Sequence, residues 1–132
     1  MASLLEQLRG YTNVVADSGD INSIEKFKPQ DSTTNPSLIE AAAQMPAYQQ
    51  IVDDVLKQAR KDAGDKATDK DVATLAFKSL AVAFGKKILA IVPGRVSTEV
   101  DARLSFDTEK TKEQARDIIA QYERQASPAT AS

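Results

Sequence analysis

Apolar residues recur at helical spacing along most of the chain, and they predict a series of helices. A short opening helix is predicted over residues 3–9, and a second runs from Ile21 until Pro29 stops it. Asn35-Pro36 is typical of a helix start, because proline fits the first helical position. Longer amphipathic helices are predicted from three apolar stripes: Tyr48 to Ala59, Val72 to Ile91 and Ala115 to Tyr122.

Three other segments predict β-strands. Residues 12–17 and 31–35 are short apolar or β-branched runs that end in turn-forming or helix-capping residues. Across residues 95–104, apolar or weakly polar side chains alternate with polar and charged ones, as in a strand with two different faces. Because helices separate the strands, we expect parallel pairing through right-handed crossovers. Three strands cannot close a barrel, which takes about 250 residues for eight strands. The pattern therefore indicates part of a larger α/β structure, or a small open one.

Composition indicates an ordinary globular protein and excludes several kinds of site. Of the 132 residues, 42% are hydrophobic and 27% are charged, and the formal net charge is −2. This balance does not predict a strongly basic surface that would bind nucleic acid or an anionic membrane. Without cysteine or histidine, a thiolate site is excluded, and proton transfer falls to Asp, Glu, Lys or Tyr. The first residues do not resemble a signal peptide, and no apolar run approaches about 18 residues, so we expect a cytoplasmic protein.

Three polar residues fall at or near the carboxyl ends of the predicted strands: Asp17, Asn35 and Glu99. Active sites in parallel α/β proteins are built at that end of the sheet. Each residue also has a purely structural explanation: a turn residue for Asp17, a helix N-cap for Asn35, and a solvent-facing strand position for Glu99. The polar face of strand 95–104 leaves two alternatives open, a water-filled barrel mouth or an antiparallel edge strand with one wet face.

Three sequence blocks resemble successive signatures of transaldolase. They are VVADSGD at residues 14–20, QDSTTNPSL at 30–38 and PGRVSTEVDARLSFDT at 93–108, in the family's order and at suitable spacing. The resemblance covers residues 1 to about 125, and the TTNPSL and STEVDARLS strings are close to diagnostic.

The resemblance implies a fold and an activity. The expected fold is α/β, a partial (β/α)8 TIM-type barrel: about the first three β/α units and an extra N-terminal helix over residues 1–125, then a flexible tail at 126–132. Transaldolases are class I aldolases that need no cofactor and no metal, and they act in the pentose phosphate pathway. They move a dihydroxyacetone unit from a ketose phosphate, such as sedoheptulose 7-phosphate or fructose 6-phosphate, to an aldose phosphate. A barrel lysine forms a Schiff base with the donor ketone.

The resemblance also implies a role for each candidate residue. Asp17 resembles the carboxylate that takes the proton from the C4 hydroxyl of the donor during cleavage. Glu99 resembles the carboxylate that acts through a bound water while the carbinolamine and imine form and hydrolyse. Asn35 resembles the amide that binds the hydroxyls of the three-carbon unit. Carboxylates as proton shuttles suit a chain that has no histidine.

The sequence departs from the family at the Schiff-base lysine. After the helix that ends near Gln125, the family continues into a lysine-bearing fourth strand, whereas this sequence reads ASPATAS. None of its lysines falls on a predicted strand, so we expect no transaldolase activity from this polypeptide alone. Two alternatives are a non-catalytic half-barrel that serves assembly or regulation, and a different small class I aldolase, against which the missing lysine also argues.

Self-association is the first testable expectation. In a closed barrel, strand 95–104 and strand 12–17 would each have a further neighbour, and here their edges are open. Each backbone group buried without a partner costs about 1–3 kcal/mol, so these edges must meet water or another chain. We expect sedimentation at micromolar concentration to show oligomers formed through the strand edges, or amide exchange to show a loosely folded chain. A monodisperse monomer with strongly protected amides in strand 95–104 would contradict this expectation.

Overall fold

A computed structural model describes residues 1–125, which form a small three-stranded sheet and a larger set of helices. The tail predicted at residues 126–132 lies outside the described residues. Within them, no helix is long and apolar enough to cross a bilayer. In chain order the elements are α1 (Leu4–Arg9), β1 (Val15–Asp17), α2 (Ile21–Phe27), β2 (Asp31–Thr33), α3 (Pro36–Ala43), a 3₁₀ turn (Pro46–Tyr48), α4 (Gln49–Ala63), α5 (Asp69–Leu89), β3 (Val96–Ser97), a second 3₁₀ turn (Ala102–Leu104) and α6 (Thr108–Gln125).

The three strands are parallel and lie side by side in the order β1-β2-β3. In the register of the strands, Asp17 pairs with Thr33 and Thr33 pairs with Ser97, so these three residues form one row across the sheet. The α/β class and the parallel pairing are therefore confirmed for the described residues. The alternative of an antiparallel edge strand is wrong, because β3 runs parallel to β2.

The strands are much shorter than their sequence patterns predict. The strand predicted over residues 95–104 keeps only Val96–Ser97, and a 3₁₀ turn occupies Ala102–Leu104. The backbone N–H of Arg103 donates to the carboxylate of Asp101 at 2.9 Å, a local bond that competes with a strand ladder. Strand β2 ends at Thr33 because Asn35, two residues later, already caps α3. The strand predicted at residues 12–17 shortens to three residues.

Side-chain caps fix the helix ends where the sequence indicates them. Asn35 caps α3 with Pro36 in its first turn, and Thr68 forms a capping box at the start of α5. Asp107 accepts a bond from the backbone N–H of Lys110 at 3.0 Å, at the start of α6. Capping of this kind satisfies backbone donors that have no partner inside the helix. Gly64 follows α4 with a φ of 83°, a conformation that favours glycine.

Helices cover one face of the sheet. Ile24 of α2, Ile88 of α5 and Val92 form a buried cluster against Ala16 and Val96, which are residues of β1 and β3. Successive side chains of a strand point to opposite faces, so the row of Asp17, Thr33 and Ser97 belongs to the other face. Asp17 and Ser97 are exposed. The sheet therefore has one covered face and one open face, and the open face is polar at its carboxyl edge.

The helix-facing side of β2 carries buried hydroxyls instead of the aliphatic side chains usual in such strands. Ser32 Oγ donates to the carbonyl of Ala16 at 3.0 Å, and Thr34 Oγ1 donates to the carbonyl of Ser97 at 3.3 Å. Both residues are almost completely buried, and a buried polar group without a partner is destabilising. These bonds join β2 to both neighbouring strands in addition to the backbone ladder.

A second part of the core lies between α3, α4 and α5. Tyr48 and Phe84 are buried there and meet edge to face, with ring centroids 5.4 Å apart. Further along the same helix pair, Ala59 packs against Val72 and Ala76. The apolar stripe predicted on α5 is thus confirmed as core.

Gly19 lies where the turn after β1 crosses α3, and its substitution tests that packing. A Cβ atom at Gly19 would lie 2.6 Å from the backbone oxygen of Leu38, which cannot rotate away. We expect Gly19→Ala to lower the free energy of unfolding by about 1–3 kcal/mol, as measured by urea denaturation. Gly10→Ala is the control, since its nearest contact is 3.3 Å and its φ is −73°. Equal effects of the two substitutions would contradict the packing described here.

Candidate functional site

Asp17 is the last residue of β1 and lies exposed on the open face of the sheet. Its Oδ1 accepts a hydrogen bond of 2.8 Å from the hydroxyl of Thr33, the residue level with it on β2. This contact shows that both side chains point to the same face. Asp17 is therefore held by a neighbouring strand and is more than a turn residue. No local sequence pattern singles out Thr33, because its relevance depends on the register of two strands.

The turn after Asp17 is held from two sides. The backbone N–H of Asp20 donates to the hydroxyl of Ser18 at 3.0 Å, and the Asp20 carboxylate accepts from the backbone N–H of Asn22 at the start of α2. The hydroxyl of Tyr48 donates to the same carboxylate at 2.9 Å from the far side of the core. A buried aromatic residue thus fixes the end of the turn that carries Asp17.

These contacts change the acidity of both side chains. The hydroxyl of Ser23, followed by that of Tyr48, lowers the pKa of Asp20, because each donates to the ionised carboxylate. Burial raises the pKa of Tyr48, and its bond to Asp20 acts in the same direction. The pair is therefore an ionised carboxylate with a neutral phenol over the range between the two pKa values.

Asn35 serves as a helix cap. Its Oδ1 accepts a bond of 2.9 Å from the backbone N–H of Leu38, as expected for the first residue before α3. The structural explanation offered by the sequence is thus confirmed for this residue. The cap uses the side-chain oxygen, so the amide Nδ2 is the group that Asn35 can offer to an oxygen of a ligand.

Glu99 lies two residues beyond the end of β3 and is exposed. From Val96 to Val100 the residues are alternately half-buried and exposed, and Glu99 shares its exposure with Ser97. This alternation is typical of extended backbone. Glu99 also borders a groove of about 460 Å³ between α5 and the segment that follows β3.

Five of the side chains that line that groove are charged, and most of the others are apolar. Lys70 and Lys78 of α5 and Arg103 line it together with Glu99 and Asp101. The guanidinium of Arg103 binds Asp101 at 2.5 Å, and its hydrogen bonds lower the pKa of Asp101 to about 2. Asp101 is thus paired with Arg103. Glu99 is the other carboxylate near this end of β3, and it takes no part in that ion pair.

The structure brings the three predicted residues to one edge of the sheet but does not join them. Asp17 contacts Thr33, whereas Asn35 and Glu99 lie two residues past the ends of β2 and β3. Among residues 1–125, no hydrogen bond directly links Asp17, Asn35 and Glu99, and no group of three His, Cys, Asp or Glu residues is placed to hold a metal ion. The catalytic and binding roles of the three residues stay predictions.

Every lysine of the sequence lies on a helix or in a loop of the described region. Two of them, Lys70 and Lys78, border the groove that Glu99 also lines. A lysine that forms an imine needs a setting that keeps its amine neutral near pH 7. The expectation that these strands carry no lysine is confirmed for the described residues.

Comparison with known proteins bears on the same residues. The sequence profile described as Transaldolase/Fructose-6-phosphate aldolase matches residues 14–127, which include all three candidate positions. The chain belongs to this family. A protein named Transaldolase from Nostoc punctiforme is 72% identical over 120 residues, which are 91% of this chain and 36% of that protein. Proteins of the same name from Gloeobacter violaceus and Methylococcus capsulatus are 73% and 68% identical, over 92% of this chain.

The match covers nearly all of this chain but only part of each relative. The chain spans about a third of the length of the curated relatives it matches, between 31% and 37%. Most of this family member is therefore comparable with its relatives residue by residue, while most of each relative has no counterpart in the sequence.

The buried end of the Asp17 turn gives a pH-dependent prediction. Because the pKa of Asp20 is lowered in the fold, its ionised form contributes stability above its unfolded pKa of about 4, and the contribution disappears as pH falls through the folded value. Asp20→Asn keeps a capping side chain but loses the charge. We expect it to lower the free energy of unfolding by about 1 kcal/mol near neutral pH.

Urea unfolding of both proteins at a series of pH values measures this difference. It should shrink steadily as the solution is acidified below pH about 4. A difference that stays constant with pH would show that the carboxylate makes no charge-dependent contact in the turn.

Proposed function

We propose that this chain forms the part of a transaldolase that handles protons and the donor sugar. The activity is transfer of a dihydroxyacetone unit from a ketose phosphate, such as sedoheptulose 7-phosphate, to an aldose phosphate in the pentose phosphate pathway of the cytoplasm. The observation that carries the proposal is the row across the sheet, in which Asp17 accepts a bond from Thr33 at the carboxyl edge. The family match over residues 14–127 supports it.

In this proposal the open face of the sheet is the interior of a (β/α)8 barrel, of which residues 1–125 form the first three units. Helices cover only the face of Ala16 and Val96, and the opposite face carries polar side chains at its carboxyl edge. Barrel enzymes place their catalytic residues at that edge. The relatives are about three times as long as the matched region, which leaves room for the remaining strands.

Asp17 acts as the base that breaks the carbon–carbon bond. Once the donor ketone has become an imine, the carboxylate removes the proton of the C4 hydroxyl. The C3–C4 bond then breaks, its electrons move to the iminium, and an aldose phosphate leaves as the aldehyde. Thr33 donates to Oδ1 of Asp17, so it orients the carboxyl group and leaves the second oxygen to take the proton.

Glu99 and Asn35 serve the other steps. Glu99 is exposed beyond β3 and acts through a water molecule on the carbinolamine and the imine. Asn35 offers its amide nitrogen to the hydroxyls of the three-carbon unit, while its oxygen caps α3. The lysine of the imine is not among the strand residues described here. It is supplied by polypeptide that corresponds to the remaining length of the relatives.

A hybrid enzyme tests the proposal. The region of Nostoc punctiforme transaldolase that matches this chain is replaced by the chain's own residues, and dihydroxyacetone transfer from fructose 6-phosphate is measured. We expect an active hybrid. Asp17→Asn should lower its kcat by about 100- to 10,000-fold, since a general base is lost. Asp53→Asn, which changes an exposed carboxylate on α4, should leave kcat unchanged.

Two results would contradict the proposal. A folded hybrid without activity would favour the alternative of a non-catalytic half-barrel that serves assembly or regulation. An active hybrid that retains full kcat after Asp17→Asn would remove Asp17 from the chemistry while leaving the family assignment intact.

A further inference from the structure

The segment that carries Glu99 is not part of the sheet ladder. Backbone N–H groups of Ser32 and Thr34 donate to the carbonyls of Arg95 and Ser97 at 2.9 and 3.1 Å, and the strand then ends. Glu99 comes two residues later, where the β2–β3 ladder has stopped. Its direction must therefore be set by other contacts.

Helix α6 makes those contacts on both sides of Glu99. The hydroxyl of Tyr122 and Oγ1 of Thr98 are 2.7 Å apart and share a hydrogen bond. The side-chain oxygen of Gln114 accepts a bond of 2.5 Å from the backbone N–H of Asp101. Thr98, directly before Glu99, and Asp101, two residues after it, are thus both bound to α6.

Gly85 provides the space for the tyrosine. A Cβ atom at this position of α5 would lie 1.8 Å from the hydroxyl oxygen of Tyr122 and 2.8 Å from Cζ. The ring end therefore lies directly on the backbone of α5, in a place that a larger residue would fill. Burial raises the pKa of Tyr122, so its hydroxyl is neutral near pH 7, and either hydroxyl can donate in its bond with Thr98.

The bond to Tyr122 fixes which way the chain faces. Val96, Thr98 and Val100 line a cavity of about 230 Å³ against Ile118 and Tyr122 of α6. In extended backbone the intervening residue, Glu99, points away from that cavity. We propose that Tyr122, seated on Gly85, is a positioning residue that holds Thr98 toward α6 and thereby fixes the direction of Glu99 at the carboxyl edge of the sheet. The inference rests on the proposed function for its catalytic consequence only.

Two measurements test the inference independently. Tyr122→Phe and Thr98→Val each remove one hydroxyl from the pair and keep nearly the same shape. In the 132-residue chain, we expect the backbone order parameter of Glu99 to fall into the flexible range below about 0.6 in each variant. In the hybrid enzyme, kcat should fall about 10- to 100-fold with KM nearly unchanged, since displacement by about 1 Å has effects of this size.

The double variant and a control separate positioning from general destabilisation. Tyr122→Phe combined with Thr98→Val should have no larger effect than either change alone, because both remove the same bond. Tyr11→Phe is the matched control, since Tyr11 is 90% exposed, and should leave both readouts unchanged. Gly85→Ala should reproduce the effect by displacing the tyrosine ring.

The outcomes are distinguishable from those of the proposed function. If the unsubstituted hybrid is inactive, the proposed function fails, and the order parameter of Glu99 still decides the positioning role. If the order parameter and kcat are unchanged in both folded single variants, the positioning role is wrong. A loss of thermal stability without a change in either readout would likewise overturn it, because it would show that the tyrosine only packs.

Discussion

The register of three short parallel strands is the constraint on which the rest of the structure depends. It places Asp17, Thr33 and Ser97 in one row, and a slip of one strand by one residue would turn that strand's member of the row to the helix side. The strands are two or three residues long, so few ladder bonds hold this register. Side chains add to it: Asp31 accepts from the backbone N–H of Arg95 at 2.6 Å, beside the glycine that precedes β3.

The contribution of the helices depends on this register. They cover one face of the sheet, where Ser32 and Thr34 use buried hydroxyls to join adjacent strands. Side chains of the helical layer also hold the segments near the carboxyl edge of the sheet. Tyr48 binds the end of the turn after Asp17, and Tyr122 binds the segment before Glu99. Each candidate carboxylate is thus exposed for chemistry, while the backbone near it is fixed by a tyrosine from the helical layer.

Local patterns in the sequence predicted the helices, the parallel order and the cap at Asn35, because periodicity and capping act over a few residues. The same patterns overestimated the strands, since alternation continues past Ser97 where side-chain bonds replace the ladder. The contacts of Thr33, Tyr48 and Tyr122 could not be predicted, because each joins residues from 16 to 28 positions apart. Ile119 was assigned to an apolar stripe and is 57% exposed, since α6 has no partner on that side in the described region.

Scalar couplings across hydrogen bonds, measured by NMR on the labelled chain, test the register most directly. The structure predicts coupling from the amide nitrogen of Ser32 to the carbonyl carbon of Arg95, and from that of Thr34 to the carbonyl carbon of Ser97. Both couplings together would confirm the register of β2 and β3, in which Thr33 and Ser97 lie in one row. Coupling of Thr34 to Val96 or Thr98 instead would mean a slip of one residue. That result would break the row of Thr33 and Ser97 and contradict the account of the site.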